Sequence, residues 1–387
     1  MFIDALRYDF VTPRDTPYLH SLSLEGSKSR LRTILGYSDA IRASIFTGTY
    51  PDCHGYWIMY RFRPENSPYA AYRAVGFLDW LPGLVGRGSK VLASKLIGQP
   101  LAWAKGYSDL DIRNVPFSVT RFFDKTLPGG LFKEDPLPVP TVFDVLRKCG
   151  IKSEYIDSAE DNPIKAVDRI EADTELTIIY LHYLDFAAHR YGLRDLRYIK
   201  VLKRVDRLCR HLVKRGEERM GASVNLLVFS DHGMTQPSSY INLSRLIDDP
   251  RHGRDYLLFL DSTMIHIWYL NPDKKDDVAE KLGKLPYGRI LSQEDRKRLR
   301  VSFGHRWYGD DVYLLKPYYQ IFPNFISLLK PRAMHAFDPK YQHQDGVFIS
   351  KMGTTTGKVV QIPDLTATIY KLMGLKPPPT CEGKSLL

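Results

Sequence analysis

Two apolar runs that stop abruptly at acids constrain this chain most: TIIYLHYLD (Thr177 to Asp185) and NLLVFSDHG (Asn225 to Gly233). Continuous runs of β-branched and aromatic residues, flanked by helical stretches, predict strands buried on both faces of a parallel sheet. Helices are expected at Thr141 to Cys149 with Gly150 as a stop, at Leu196 to Arg215, and at Asp364 to Met373 before Gly374. Strands alternating with helices imply an α/β fold with a central, mostly parallel sheet flanked by helices. In such sheets the chemistry gathers at the carboxyl ends of the strands, where these acids fall.

The 387 residues are read as a single catalytic domain, 1–387, with two interruptions. Residues 56–140, rich in Gly, Pro, Tyr and Arg, read as a loop-rich insertion near the site. Residues 235–331 carry their own strand-like and charged helical pieces and read as a small cap subdomain. No apolar run approaches the roughly 18 residues needed to cross a bilayer. The richest, Tyr256 to Leu270, is broken by Asp261 and His266 and reads as paired strands.

Four well-separated cysteines (Cys53, Cys149, Cys209, Cys381) form no CxxC pair, which argues for free thiols rather than a thiolate metal site. With no secretory leader pattern at the start, a cytoplasmic location is the expectation. Asp4 has only three residues before it, so either the first strand is short or the natural chain begins upstream. The net charge of +11 suits an anionic partner. Its basic residues are spread out, however, as in Lys200 to Arg215, and read as solvated helix faces. No nucleic-acid recognition motif is present. Nothing in the sequence reports an oligomeric state.

Acids, histidines and one serine recur in segments with metal-ligand character. Asp4 lies in FIDALRYDF, and Ser38 opens a helix in GYSDAIRASIFTGTYPDCHG. Asp185 and His189, four apart in LDFAAHRYG, can share a helical turn. Asp231 and His232 are adjacent in SDHG, where Gly233 is read as permitting an irregular loop. His335 lies in MHAFDPKYQHQDGVFIS. Displacement at phosphorus builds charge on the attacking and leaving oxygens. Two divalent cations about 3.5 to 4 Å apart neutralise both and activate a hydroxyl nucleophile. Mixed carboxylate and imidazole donors suit Zn2+, with Mn2+ a second choice.

These segments, in this order, resemble the type I phosphodiesterase/nucleotide pyrophosphatase branch of the alkaline-phosphatase superfamily. TGTYPDCHG is similar to the family's TGLYPxSHG, which places Ser38 where the family keeps a nucleophilic Thr. LDFAAHRYG resembles PDxxGHxxG, and SDHGM matches directly. The spacing of MHAFDPKYQHQDGVF to the family's HGYDNxFxxMxxIF selects His335 over His343. The resemblance implies one metal held by Asp185, His189 and His335, and another by Asp4, Asp231 and His232, with Ser38 shared between them. It implies hydrolysis of a phosphodiester or pyrophosphate through a phosphoryl-Ser38 intermediate, on an anionic small molecule or headgroup.

A monoesterase or a headgroup transferase on the same core is the alternative, and a sulfatase is a weaker one because SDAIR lacks the Pro of C/S-x-P-S-R. The sequence departs from the family where its phosphate-binding Asn falls at Met59 and where the acid Asp39 follows Ser38. Arg42 and Arg61 are candidates to compensate. The basic, aromatic segment from Tyr56 to Arg73 reads either as a substrate-lining loop or as a loop whose aromatics pack inward. His54 is expected to be a structural turn residue and His182 a core histidine within a strand.

Overall fold

The computed structural model describes residues 1–70, 72, 76, 79, 92, 96, 115–127, 130–132, 136–352, 355 and 357–387. The chain divides into two compact units. One contains Met1–Gly55, Leu137–Gln236 and Arg332–Leu387; the other contains Tyr56–Pro136 and Pro237–Pro331.

The first unit is built on a seven-stranded sheet. Its order is Val359–Gln361, Ser27–Arg32, Gly346–Ser350, Leu227–Phe229, Phe2–Ile3, Leu176–Leu181 and Ser153–Asp157. Gly346–Ser350 runs antiparallel to both neighbours, and every other pairing is parallel. The sheet is therefore mixed and mostly parallel. Phe2–Ile3 is a short strand of two residues, extended by Phe229 N–H donating to Met1 O and Asp4 N–H donating to Leu181 O, each at 3.0 Å.

Helix Leu196–Met220 shows why the charged stretch folds as it does. Asp195 caps its start by accepting from Arg197 N–H at 2.8 Å. Tyr198, Leu202, Val205, Cys209 and Leu212 form a buried stripe at helical spacing. Each such large apolar side chain contributes roughly 1.5–3 kcal/mol on burial. The basic residues Arg204, Arg207, Arg210 and Lys214 face outward, as solvated faces should. Asp206 is buried on the apolar stripe because it accepts from the amides of Tyr18 and Leu19 at 3.1 and 2.9 Å, capping helix Pro17–Glu25. The helix outruns the expected end at Arg215 and stops at Gly221, in the left-handed region at φ 63°.

The other expected helices form at Val142–Lys148, with a Thr141/Asp144 capping box, and at Ile362–Leu372. One expectation needs correction. The run from Thr177 is strand only to Leu181; helix Tyr183–Tyr191 begins at once, so Asp185 lies in its first turn rather than at a strand end. His182 sits between the two elements, partly exposed, with Nδ1 2.8 Å from Ser158 Oγ, and is not a core histidine.

The second unit contains a four-stranded antiparallel sheet ordered Gly288–Ile290, Asp311–Leu315, Met264–Tyr269, Tyr256–Leu260. The run from Tyr256 to Leu270 is thus two paired strands, as its composition predicts. Trp57, Tyr69 and Tyr72 are almost fully buried and belong to this unit's aromatic core, so these rings pack inward. Arg73 lies outside the described residues. Met59 is exposed. No helix among the described residues is long and apolar enough to cross a membrane.

Candidate metal centre

Three neighbouring parallel strands end at the site: Phe2–Ile3 runs into Asp4, Leu227–Phe229 into Asp231 and His232, and Leu176–Leu181 into the helix bearing Asp185 and His189. Peptide planes that finish together at the carboxyl edge of a parallel sheet leave room there for side chains to converge.

The side chains form two clusters, Asp4/Asp231/His232 and Asp185/His189/His335. Within each cluster the candidate donor atoms lie within 4.8 Å of one another. His232 Nε2 is 3.2 Å from Asp4 Oδ1 and 3.5 Å from Asp231 Oδ2. His189 Nε2 is 3.2 Å and His335 Nε2 3.9 Å from Asp185 Oδ1. The rings of His232 and His335 stack at 3.7 Å and 5°, so the clusters are adjacent.

Local geometry aims the donors. His232 Nδ1 donates to Gly233 O and His189 Nδ1 to Ala333 O, both at 2.7 Å, which turns each Nε2 toward the carboxylates. Asp231 Oδ1 accepts from His232 N–H at 3.0 Å, and Tyr180 O–H donates to Asp4 Oδ2. The opposite oxygens, Asp4 Oδ1 and Asp231 Oδ2, and likewise Asp185 Oδ1, are buried and accept no hydrogen bond among the described residues. Buried carboxylate oxygens left bare in this way carry a large desolvation cost. With the imidazole nitrogen of His232 in one cluster and those of His189 and His335 in the other, they form two three-residue donor sets that fit a divalent cation.

The electrostatics express the same strain. Burial, and then the Asp4 carboxylate, push the Asp231 carboxyl well above its usual range. Burial disfavours the charged form of His232, but Asp231 and Asp4 outweigh it and raise the imidazole to about 10. His335 is driven well below its usual value by burial and by His232 stacked on it.

Ser38 is the first residue of helix Ser38–Thr47, with Oγ 3.2 Å from His232 Nε2. The first intrahelical bond here is Ile41 N–H to Tyr37 O at 3.1 Å, so the amides of Ser38, Asp39 and Ala40 precede it. Free first-turn amides beside a hydroxyl make a cradle for an anion. Asp39 and Arg42 lie one helical turn apart and pair with each other, and the Arg42 guanidinium sits 5.2 Å from the Tyr180 ring centre. Arg61 belongs to the second unit, where it pairs with Asp124 at 2.7 Å and lies over Trp307.

His343 joins neither cluster; its ring stacks with Tyr341 at 5.7 Å. His54 is buried with Nε2 2.8 Å from Ser44 Oγ, a structural role. Gly233 does not adopt a left-handed conformation. It is required because a Cβ there would meet His343 O at 2.2 Å. The close approach lets Gly233 N–H reach Gln344 O at 2.7 Å, which ties the Asp231–His232 turn to the segment after His335. Sequence reasoning missed Tyr180, since only the register Phe2↔Tyr180 places it beside Asp4.

Known proteins share this architecture. Human ectonucleotide pyrophosphatase/phosphodiesterase 5 superposes with a TM-score of 0.71 at 15% identity, covering 99% of this chain and 96% of that one. The murine counterpart, solved in an inactive form in complex with AMP, gives 0.70 at 17%, covering 98% and 96%. These likenesses establish the fold. Ectonucleotide pyrophosphatase/phosphodiesterase family member 7 of Mus musculus is 24% identical over 245 residues, 60% of this chain and 48% of that protein. The Rattus norvegicus protein is 25% identical over the same length. The chain thus spans about half the length of the curated relatives it matches. The sequence profile of the type I phosphodiesterase/nucleotide pyrophosphatase family matches residues 1–342, and the chain belongs to that family.

Proposed function

We propose that the protein hydrolyses a phosphodiester or pyrophosphate bond with Ser38 as nucleophile and two divalent cations, Zn2+ by the mixed carboxylate and imidazole donors, at the paired clusters. The observation that carries this reading is the Ser38 hydroxyl beside two adjacent Asp/His clusters whose carboxylate oxygens are bare. Asp185, His189 and His335 would hold one cation, and Asp4, Asp231 and His232 the other, with Ser38 between them. When bound, such cations lower the pKa of the hydroxyl and offset charge on the attacking and leaving oxygens.

Ser38 Oγ gives up its proton to solvent water and forms a bond to phosphorus as the bond to the leaving oxygen breaks. That oxygen departs with the electron pair and takes a proton from water. Water then cleaves the phosphoserine, returning the proton to Oγ and releasing the second product. The first-turn amides of Ser38–Thr47 hold the non-bridging oxygens. The AMP carried by the murine type 5 relative makes a nucleotide ester the first substrate class to test.

The decisive experiment compares bis-p-nitrophenyl phosphate, p-nitrophenyl phosphate and p-nitrophenyl sulfate on zinc-loaded protein with a chelator control. Chelator-sensitive preference for the diester supports the proposal. Preference for the monoester moves the enzyme to phosphatase chemistry on the same core. Sulfatase activity, or turnover indifferent to the chelator, overturns it.

A further inference from the structure

Helix Tyr183–Tyr191 has two working faces. Asp185 and His189 share one, while Tyr183 and Ala187, about 200° away around the helix, share the opposite one. That opposite face borders a groove of about 490 Å3 between this helix, helix Leu196–Met220 and the start of helix Pro163–Arg169. Its volume falls within the range of small-molecule sites.

Ala187 and Val205 form the buried floor, and Tyr183, Phe186, Val201 and Leu208 form the walls. Phe186 is 57% exposed, a large ring held against solvent beside other apolar side chains. Arg204 and Arg207 stand at the rim, exposed, and neither is engaged in an ion pair among the described residues. Among the described residues no carboxylate lines the groove, and the one side-chain amide there, Asn162, is committed to capping helix Pro163–Arg169. An apolar trough with cations at its edge complements an elongated apolar chain ending in a negative charge.

We propose that this groove binds an anionic single-chain amphiphile of the fatty-acid type, with the chain along the Phe186–Leu208 walls and the carboxylate at Arg204 and Arg207. The site is separate from the Asp/His clusters and does not depend on the reaction assigned to them.

The test uses laurate below its micellar concentration, titrated calorimetrically into the full chain, with dodecanol as the uncharged control. Saturable one-to-one laurate binding is expected. The double variant Arg204→Gln/Arg207→Gln should weaken laurate about tenfold while leaving dodecanol unchanged, because two charge-assisted contacts at an exposed rim are lost together and each is weak. Val201→Trp, which fills the trough, should abolish binding of both; unchanged circular dichroism and melting midpoint would show that each variant is folded. Absence of saturable laurate binding, survival of binding in folded Val201→Trp, or an unchanged laurate-to-dodecanol ratio in the arginine variant would each overturn the proposal.

Discussion

Tyr180 O–H donates to Asp4 Oδ2 from the neighbouring parallel strand, leaving Asp4 Oδ1 facing His232. The phenol is itself held between Phe2, at 4.7 Å, and the Arg42 guanidinium that pairs with Asp39, the residue after Ser38. A single hydrogen bond thus orients one candidate ligand and sits on a path of contacts to the helix that begins at Ser38.

Removing that hydroxyl tests the orientation. Tyr180→Phe keeps the ring packing but frees Asp4 to rotate, so zinc affinity should fall roughly 10- to 100-fold, as for other residues that orient metal ligands. Competition against a fluorescent chelator measures it; unchanged affinity would show that Asp4 is held by other means.

Substitution separates the role proposed for Ser38 from that proposed for the metal ligands. Ser38→Ala should lower turnover at least about a thousandfold with metal content nearly intact. Asp231→Asn and His335→Ala should lower metal content and activity together. Metal analysis alongside the p-nitrophenyl assays distinguishes the two patterns.

Cation binding should be linked to protons. Without a cation, His232 is raised to about 10, so the folded state holds a proton there that the unfolded chain would largely release at neutral pH, and the Asp231 carboxyl is raised as well. Both folded values are raised. Stability from these groups is therefore present at low pH and declines as pH rises, from above the ordinary carboxylate range for Asp231 and from about 6.5 to about 10 for His232. Binding a cation must expel these protons, so zinc affinity should strengthen with pH. Calorimetry in buffers of differing ionisation enthalpy counts the protons released; a count of zero would contradict the arrangement.

Acid should act on the fold through different histidines. Burial pushes His54 down to about 3, and His252 and His266 down to about 4. Their folded values are depressed, so their stabilisation is present above pH 6.5 and is lost as pH falls toward 3 to 4. By pH 4 each costs roughly 3 kcal/mol. Thermal melts from pH 7 to 4 should show the decline, and His54→Gln should reduce its steepness.

Gly233→Ala should destabilise the protein by about 3 kcal/mol, since the methyl meets rigid backbone rather than a side chain that can move. Chemical denaturation measures the loss, and metal affinity should fall with it because the Asp231–His232 turn is displaced.

Much of this was legible in the linear chain, and the reason is local. Strands buried on both faces read as unbroken apolar runs, helix stops sit at Gly150 and Gly374, and Asp185 and His189 are joined by one helical turn. The fold class and the hairpin from Tyr256 to Leu270 follow from such short-range rules. Tertiary structure decided what depends on register between distant segments. It bent the chain into a helix after Leu181, moving Asp185 off the strand and His182 out of the core. It set Tyr180 against Asp4 through the parallel pairing with Phe2, brought His335 rather than His343 onto His232, and made Gly233 necessary for space rather than for conformation. It also gave helix Tyr183–Tyr191 a second face, because only the packing of helix Leu196–Met220 beside it turns Phe186 and Ala187 into the side of a groove. Contacts across more than a hundred residues of sequence leave no periodic mark in the chain, so they appear only once the sheet is assembled.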